Sequence, residues 1–187
     1  IHIVFIGQVC SDPSYINSIK EICNNKLHLH IYGKTANVSK DDTYKSLNKY
    51  TEIIHNGYLH MHQQFNQEHL AKEISKYDYG FWLGYYNRNS KNITTATGNK
   101  LATFLEGGIP FFYFKNHKAI DKIMKEYDLN LGIDFKDIKN IRRILSKISY
   151  TKLITKIEKA RNELKMTKHI TNLENFFGTV RKFKYKK

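Results

Sequence analysis

Gly98-Asn99-Lys100-Leu101-Ala102-Thr103-Phe104-Leu105-Glu106-Gly107-Gly108-Ile109-Pro110 runs straight into the apolar stretch Phe111-Phe112-Tyr113-Phe114. Apolar residues recur at 101, 104 and 105, glycine and asparagine open the segment, and Gly-Gly-x-Pro closes it. The pattern predicts a short helix that begins on a glycine-permitted turn and feeds a buried strand. The first N–H groups of a helix have no intrahelical acceptor, so a lysine beside them makes an anion site. Gly98, Asn99 and Lys100 are therefore candidate phosphate ligands. Thr97, just upstream, can bond a phosphate or, like Asn99, act only as an N-cap.

Strand-like and helical patterns alternate on both sides of this segment. Ile1–Ile6 is apolar apart from His2 and ends at Gly7, as a buried parallel strand does. Ile16, Ile19, Ile22 and Cys23 mark a helix face after Pro13. Leu27–Tyr32 reads as a second strand and Ile53-Ile54 as a short one before Asn56-Gly57. Asn66–Lys76 reads as helix and Tyr79–Leu83 as strand. Residues 34–50 and 84–97 are polar and without period. Beyond Phe114, helix is expected over Ala119–Tyr127, strand over Leu129–Ile133, and helices over Ile138–Ile148, Leu153–Leu164 and His169–Val180. Alternation of this kind implies a doubly wound, Rossmann-like α/β domain with a parallel sheet and its ligand site at the carboxyl ends of the strands. The expected division is a nucleotide-binding unit over 1–150, with C-terminal helices and a basic tail over 151–187 packing on it.

Composition narrows the classes further. The net charge of +14 is uneven: residues 1–114 carry 11 Lys and Arg against 9 Asp and Glu, while residues 115–187 carry 20 against 8. The cations of the second half suit a polyanion or an anionic membrane face, or simply a solvated surface. Nucleic acid is not the expected partner, because no RNP, KH or helix-turn-helix signature is present and few aromatics interleave the basic residues. No run approaches the ~20 apolar residues of a membrane span. The two cysteines, Cys10 and Cys23, have no metal-type spacing and read as reduced thiols of a cytoplasmic protein. His28 and His30 alternate on a strand and His60 and His62 flank a turn, with no acidic or cysteine partner at supporting spacing, so no metal is expected.

The order of motifs resembles the C-terminal, donor-binding domain of family-1/4-like GT-B glycosyltransferases. Lys100-Leu101-x-x-Phe104-Leu105-x-x-Gly108-x-Pro110 resembles that family's signature, and Ile3-Val4-Phe5-Ile6-Gly7 its opening strand and glycine turn. His55-Asn56-Gly57-Tyr58-Leu59-His60 resembles the turn that faces the nucleobase. Leu70-Ala71-x-x-Ile74-Ser75-x-Tyr77-Asp78-Tyr79-Gly80 resembles the run leading into the next core strand. The match spans about residues 1–145, and the final helices resemble the tail that in this fold crosses back to the other domain. The resemblance implies a nucleotide diphosphate sugar as ligand, with Gly7, Gln8, His60, Met61, Thr97, Gly98, Asn99, Lys100, Thr103 and Glu106 as donor-site residues.

The chain departs from that pattern where charge is usual. Thr103 and Thr95 stand where retaining members carry glutamates, and Gln8 follows the first glycine turn where a basic residue is common. Glu106 lies one helical turn beyond Thr103. By resemblance the whole enzyme moves a sugar to a glycan or lipid-linked acceptor in glycan biosynthesis, with no metal or other cofactor. An acceptor domain is then expected before Ile1, without which this chain does not turn over. The competing expectations are a non-catalytic GT-B-like binding module and attachment of the basic C-terminal region to an anionic membrane, which would make the protein peripheral.

Overall fold

A computed structural model describes residues 1–7, 13–33, 57–62, 66–83 and 98–184. Six parallel strands form one sheet: β1 (His2–Ile6), β2 (His28–Tyr32), β3 (Leu59–His62), β4 (Tyr79–Trp82), β5 (Phe111–Phe114) and β6 (Gly132–Ile133). Their order is β3-β2-β1-β4-β5-β6, that of a doubly wound dinucleotide-binding sheet. The helices are α1 (Pro13–Asn24), α2 (Gln67–Ile74), α3 (Gly98–Glu106), α4 (Lys118–Glu126), α5 (Ile141–Leu145), α6 (Tyr150–Glu163) and α7 (Ile170–Lys184). The Rossmann-like α/β class read from the sequence is the one observed.

The strands are apolar on both faces because both are covered. Side chains alternate between faces along a strand. Phe5 meets Tyr15 of α1 edge-on at 6.1 Å, and Phe114 meets Phe135 at 6.0 Å. On the opposite face the Tyr113 hydroxyl donates to Asp121 of α4 at 3.1 Å, and Tyr32 bonds the hydroxyl of Tyr77 at 2.8 Å. All four residues of β5 are buried, and Phe5, Phe81, Phe104, Phe111, Phe112 and Phe114 are among the largest fully buried side chains of the core. The Cys23 thiol is enclosed in it, and burial pushes its pKa up to about 12. Among the described residues no helix is long and apolar enough to cross a membrane.

Two details differ from the periodicity. His60 and His62 do not flank a turn: they belong to β3, because the turn is made earlier, at Gly57, and the His-Met-His alternation is then free to pair with β2. The strand expected at Ile53-Ile54 lies outside the described residues, as do 34–50 and 84–97. The helix expected over Ile138–Ile148 is a 3-10 segment, Phe135–Asn140, followed by the short α5. Its buried positions Ile138, Ile141 and Leu145 fall at i, i+3, i+7, which either helix type satisfies over so short a run. Toward the C-terminus, α6 buries Leu153, Ile157 and Ala160 in the core. Its successor α7 leaves Leu173, Phe176, Phe177 and Val180 exposed, Phe176 to 61%.

The seating of α3 depends on one missing side chain. A Cβ on Gly80 of β4 would lie 2.5 Å from Phe104 Cε1 and 2.8 Å from Phe111 Cβ. Phe104 uses that space to stack on Phe111, centroids 4.9 Å apart. Rings locked between sheet and helix cannot step aside, so overpacking here costs about 1–3 kcal/mol. Gly80→Ala should lower the unfolding free energy by that amount, read as a lower urea midpoint with an unchanged slope.

Candidate functional site

Strand order reverses between β1 and β4, whose carboxyl ends therefore open a crevice. β1 ends at Gly7, whose backbone turns at φ +125° and whose N–H donates to the Tyr32 carbonyl at 2.8 Å. β4 ends in Trp82. The start of α3 closes the crevice: Gly98 turns at φ +53°, and its Cα hydrogen side lies against the Trp82 ring, where a Cβ would be 3.3 Å away.

Lys100 stands in the first turn of α3 and reaches across this crevice. Its Nζ lies 5.1 Å from the centre of the Phe5 ring and 5.7 Å from that of Trp82. Both distances are cation–π contacts, which hold the ammonium without neutralising it. A Cβ on Gly7 would lie 2.8 Å from Lys100 Cε and 3.1 Å from Nζ. The Gly7 turn and the ammonium of a lysine in the first turn of α3 thus meet at one spot. Such a spot can bind an anion and offset negative charge that grows on it.

The other candidates distribute unevenly. Asn99 is exposed on the first turn of α3, and its carbonyl accepts the Thr103 hydroxyl at 3.1 Å, so that hydroxyl is turned back along its own helix. Glu106 is at the opposite end of α3, about 9 Å further along the axis at 1.5 Å per residue. It lines a separate cavity of about 390 Å³ with Arg161 and Lys165. Met61 is 42% exposed on β3, while His60 joins a group of histidines on the other face of that strand. Gln8, Thr95 and Thr97 lie outside the described residues. Phe5 and Trp82, the two rings that hold Lys100, were not singled out by sequence, since their apolar runs read as core. Among the described residues no three His, Cys, Asp or Glu side chains are arranged to hold a metal ion.

No protein-family profile matches the sequence, and no curated protein matches it. Among solved structures the chain is similar to the C-terminal domain of LpcC, a glycosyl transferase group 1 family protein of Francisella tularensis. The TM-score is 0.62 at 11% identity, over 90% of this chain and 85% of that one. The two share a fold. The likeness shows the Rossmann-like α/β fold that the motif order led one to expect. At that identity the likeness is one of backbone architecture, and the chemistry of the crevice rests on this chain's own residues.

A side chain at Gly7 meets two separate penalties, and they can be told apart. A backbone at φ +125° costs an L-residue of order 1–3 kcal/mol, whereas Lys100 Cε is the mobile end of a long chain and can withdraw. Gly7→Ala should therefore destabilise the protein by that amount, with most of the loss retained in a Lys100→Ala background. A double-mutant cycle by urea unfolding reads the difference.

Proposed function

We propose that this chain is the nucleotide-sugar-binding half of a glycosyltransferase. The observation that supports the reading is the meeting of Lys100, the Gly7 turn and the start of α3 at the switch point of the sheet. In this reading the diphosphate of the donor lies on the α3 N-terminus with Lys100 against it. The sugar–phosphate bond breaks with its electron pair leaving on the diphosphate oxygen. Lys100 and the α3 N–H groups are already in place when that charge develops, so they stabilise the departing group more than the intact donor. The acceptor, a glycan or lipid-linked hydroxyl compound, would be presented by a second domain facing the same crevice.

A second reading has a specific observation behind it. The Thr103 hydroxyl is bonded to the Asn99 carbonyl, and the carboxylate of α3 is Glu106, at the far end of the helix. The described part of the crevice thus offers a ribose no carboxylate on α3, which favours either weak donor binding or a GT-B-like module that binds without catalysing. Nucleotide affinity separates the readings.

A thermal-shift panel of UDP, GDP, ADP, CMP and their sugar conjugates should show a rise in melting temperature for one base. Loss of a charge-assisted contact of about 1.5–3 kcal/mol predicts that Lys100→Ala weakens that ligand by roughly 10- to 150-fold in calorimetry. No shift with any nucleotide would favour the non-catalytic module.

A further inference from the structure

The parallel register of β1, β2 and β3 brings five imidazoles and a phenol together on one face of the sheet. Across the strands His2 stacks on His28 with ring centres 4.6 Å apart, His30 on His60 at 4.4 Å, and Tyr32 on His62 at 4.3 Å. Diagonal hydrogen bonds lace these rows together. His2 Nδ1 and His30 Nε2 are 2.8 Å apart, His28 Nδ1 and His60 Nε2 3.0 Å, and His30 Nδ1 and His62 Nε2 2.9 Å. His30 sits at the centre with both ring nitrogens engaged and is 9% exposed.

A ladder of this kind limits how many protons its rings can hold. Each N–H···N bond needs a lone pair on one ring, and a protonated imidazole has none. The run His62–His30–His2 has two internal bonds and two free ends, so it accommodates one extra proton. A second would set N–H against N–H. Even the first places a cation among rings that water reaches poorly. Around the ladder stand Tyr58 against His28 and Tyr77 against His30. The Asp78 carboxylate accepts the His2 backbone N–H at 2.7 Å, and Glu73 of α2 and Lys76, just beyond the end of that helix, face His62. Glu73 is itself paired with Lys76 and accepts the Tyr32 hydroxyl at 2.6 Å. Asp78 favours a proton on His2, whereas at His62 Lys76 outweighs Glu73, its own ion-pair partner.

We propose that this ladder is an acid-sensitive latch, in which neutral imidazoles hold the four-residue strand β3 on β2 and proton uptake on mild acidification releases it. Among the described strands β3 is at the edge, so it can leave without breaking the sheet. The electrostatics run in the same direction. Burial first, and then the neighbouring imidazoles, hold His30 down to about 3 and push His60 below its ordinary value. Burial and His28 lower His2, and burial and Lys76 lower His62. A base whose pKa is lower when latched binds fewer protons there than when released. Latch stability is thus full above about 6.5, the free-imidazole value, and falls as pH drops below it. The top rung adjoins the crevice, because the Tyr32 carbonyl holds the Gly7 N–H.

Amide hydrogen exchange between pH 7.5 and 5.5, corrected for the intrinsic rate, tests the latch. A histidine held as low as His30, at about 3, raises the opening constant about tenfold at one pH unit below 6.5 when opening frees it. Protection of residues 59–62 should fall by at least that factor, while β4 and β5 keep theirs. Ring-proton titrations in the same sample should show the ladder imidazoles gaining protons together, in step with that loss. His60→Phe/His62→Phe keeps the stacking and removes two titrating rings from the half-exposed edge, so β3 should stay paired with a weaker acid response. Unchanged protection of 59–62 would overturn the latch. So would loss of protection in all strands at once, or a folded double variant with the parent's acid response.

Discussion

The contact of Phe104 with Gly80 governs the architecture of the crevice. With no side chain at Gly80, α3 lies close on β4 and β5, its Phe104 ring stacked on Phe111. That seating sets the start of the helix beside the ends of β1 and β4, with Gly98 against Trp82 and Lys100 against Gly7. Lys100 follows as a consequence of phase. Buried Leu101, Phe104 and Leu105 set the rotation of α3, and the residue one before Leu101 is left at the rim, above Phe5 and Trp82. Core packing and ligand geometry are here the same set of contacts.

A parallel register imposes the second organisation. Residues paired across parallel strands share a face, so His2 must meet His28, and His30 must meet His60, once the strands are aligned. Imidazole suits a face that α2 covers incompletely. Each ring gives flat apolar contact to the next strand and can spend a nitrogen on a diagonal bond. Five rings linked in this way satisfy one another's polar atoms without water, at the cost of keeping them neutral. The edge strand is therefore held partly by protonation state, whereas β4 and β5 are held by aromatic rings with no titration near neutral pH.

Much of this was legible in the residues. Continuous apolar runs at Ile3–Ile6, Tyr79–Leu83 and Phe111–Phe114, separated by helical periods, led to the parallel sheet and its helical covers. The helix over Gly98–Glu106 was legible because both of its ends are punctuated. The run after Asp134 was not, since its apolar spacing suits a 3-10 or an α turn equally. His60 and His62 were misplaced because two histidines around a methionine have little hydrophobicity, and only pairing with β2 makes them a strand. Glu106 was read one helical turn beyond Thr103, and the helix carries it to a cavity that it lines with Arg161 and Lys165, which only the packing of α6 reveals.

The sequence by itself determined the class of fold, the order of its elements and the presence of a lysine at a helix start, because all three are written in local periodicity and in punctuation by glycine and proline. Tertiary structure alone decided that Gly7, Phe5, Trp82 and Lys100 share one crevice and that five histidines form one ladder. Both assemblies bring together residues far apart in the chain, and such meetings depend on strand order and register, which no local pattern encodes.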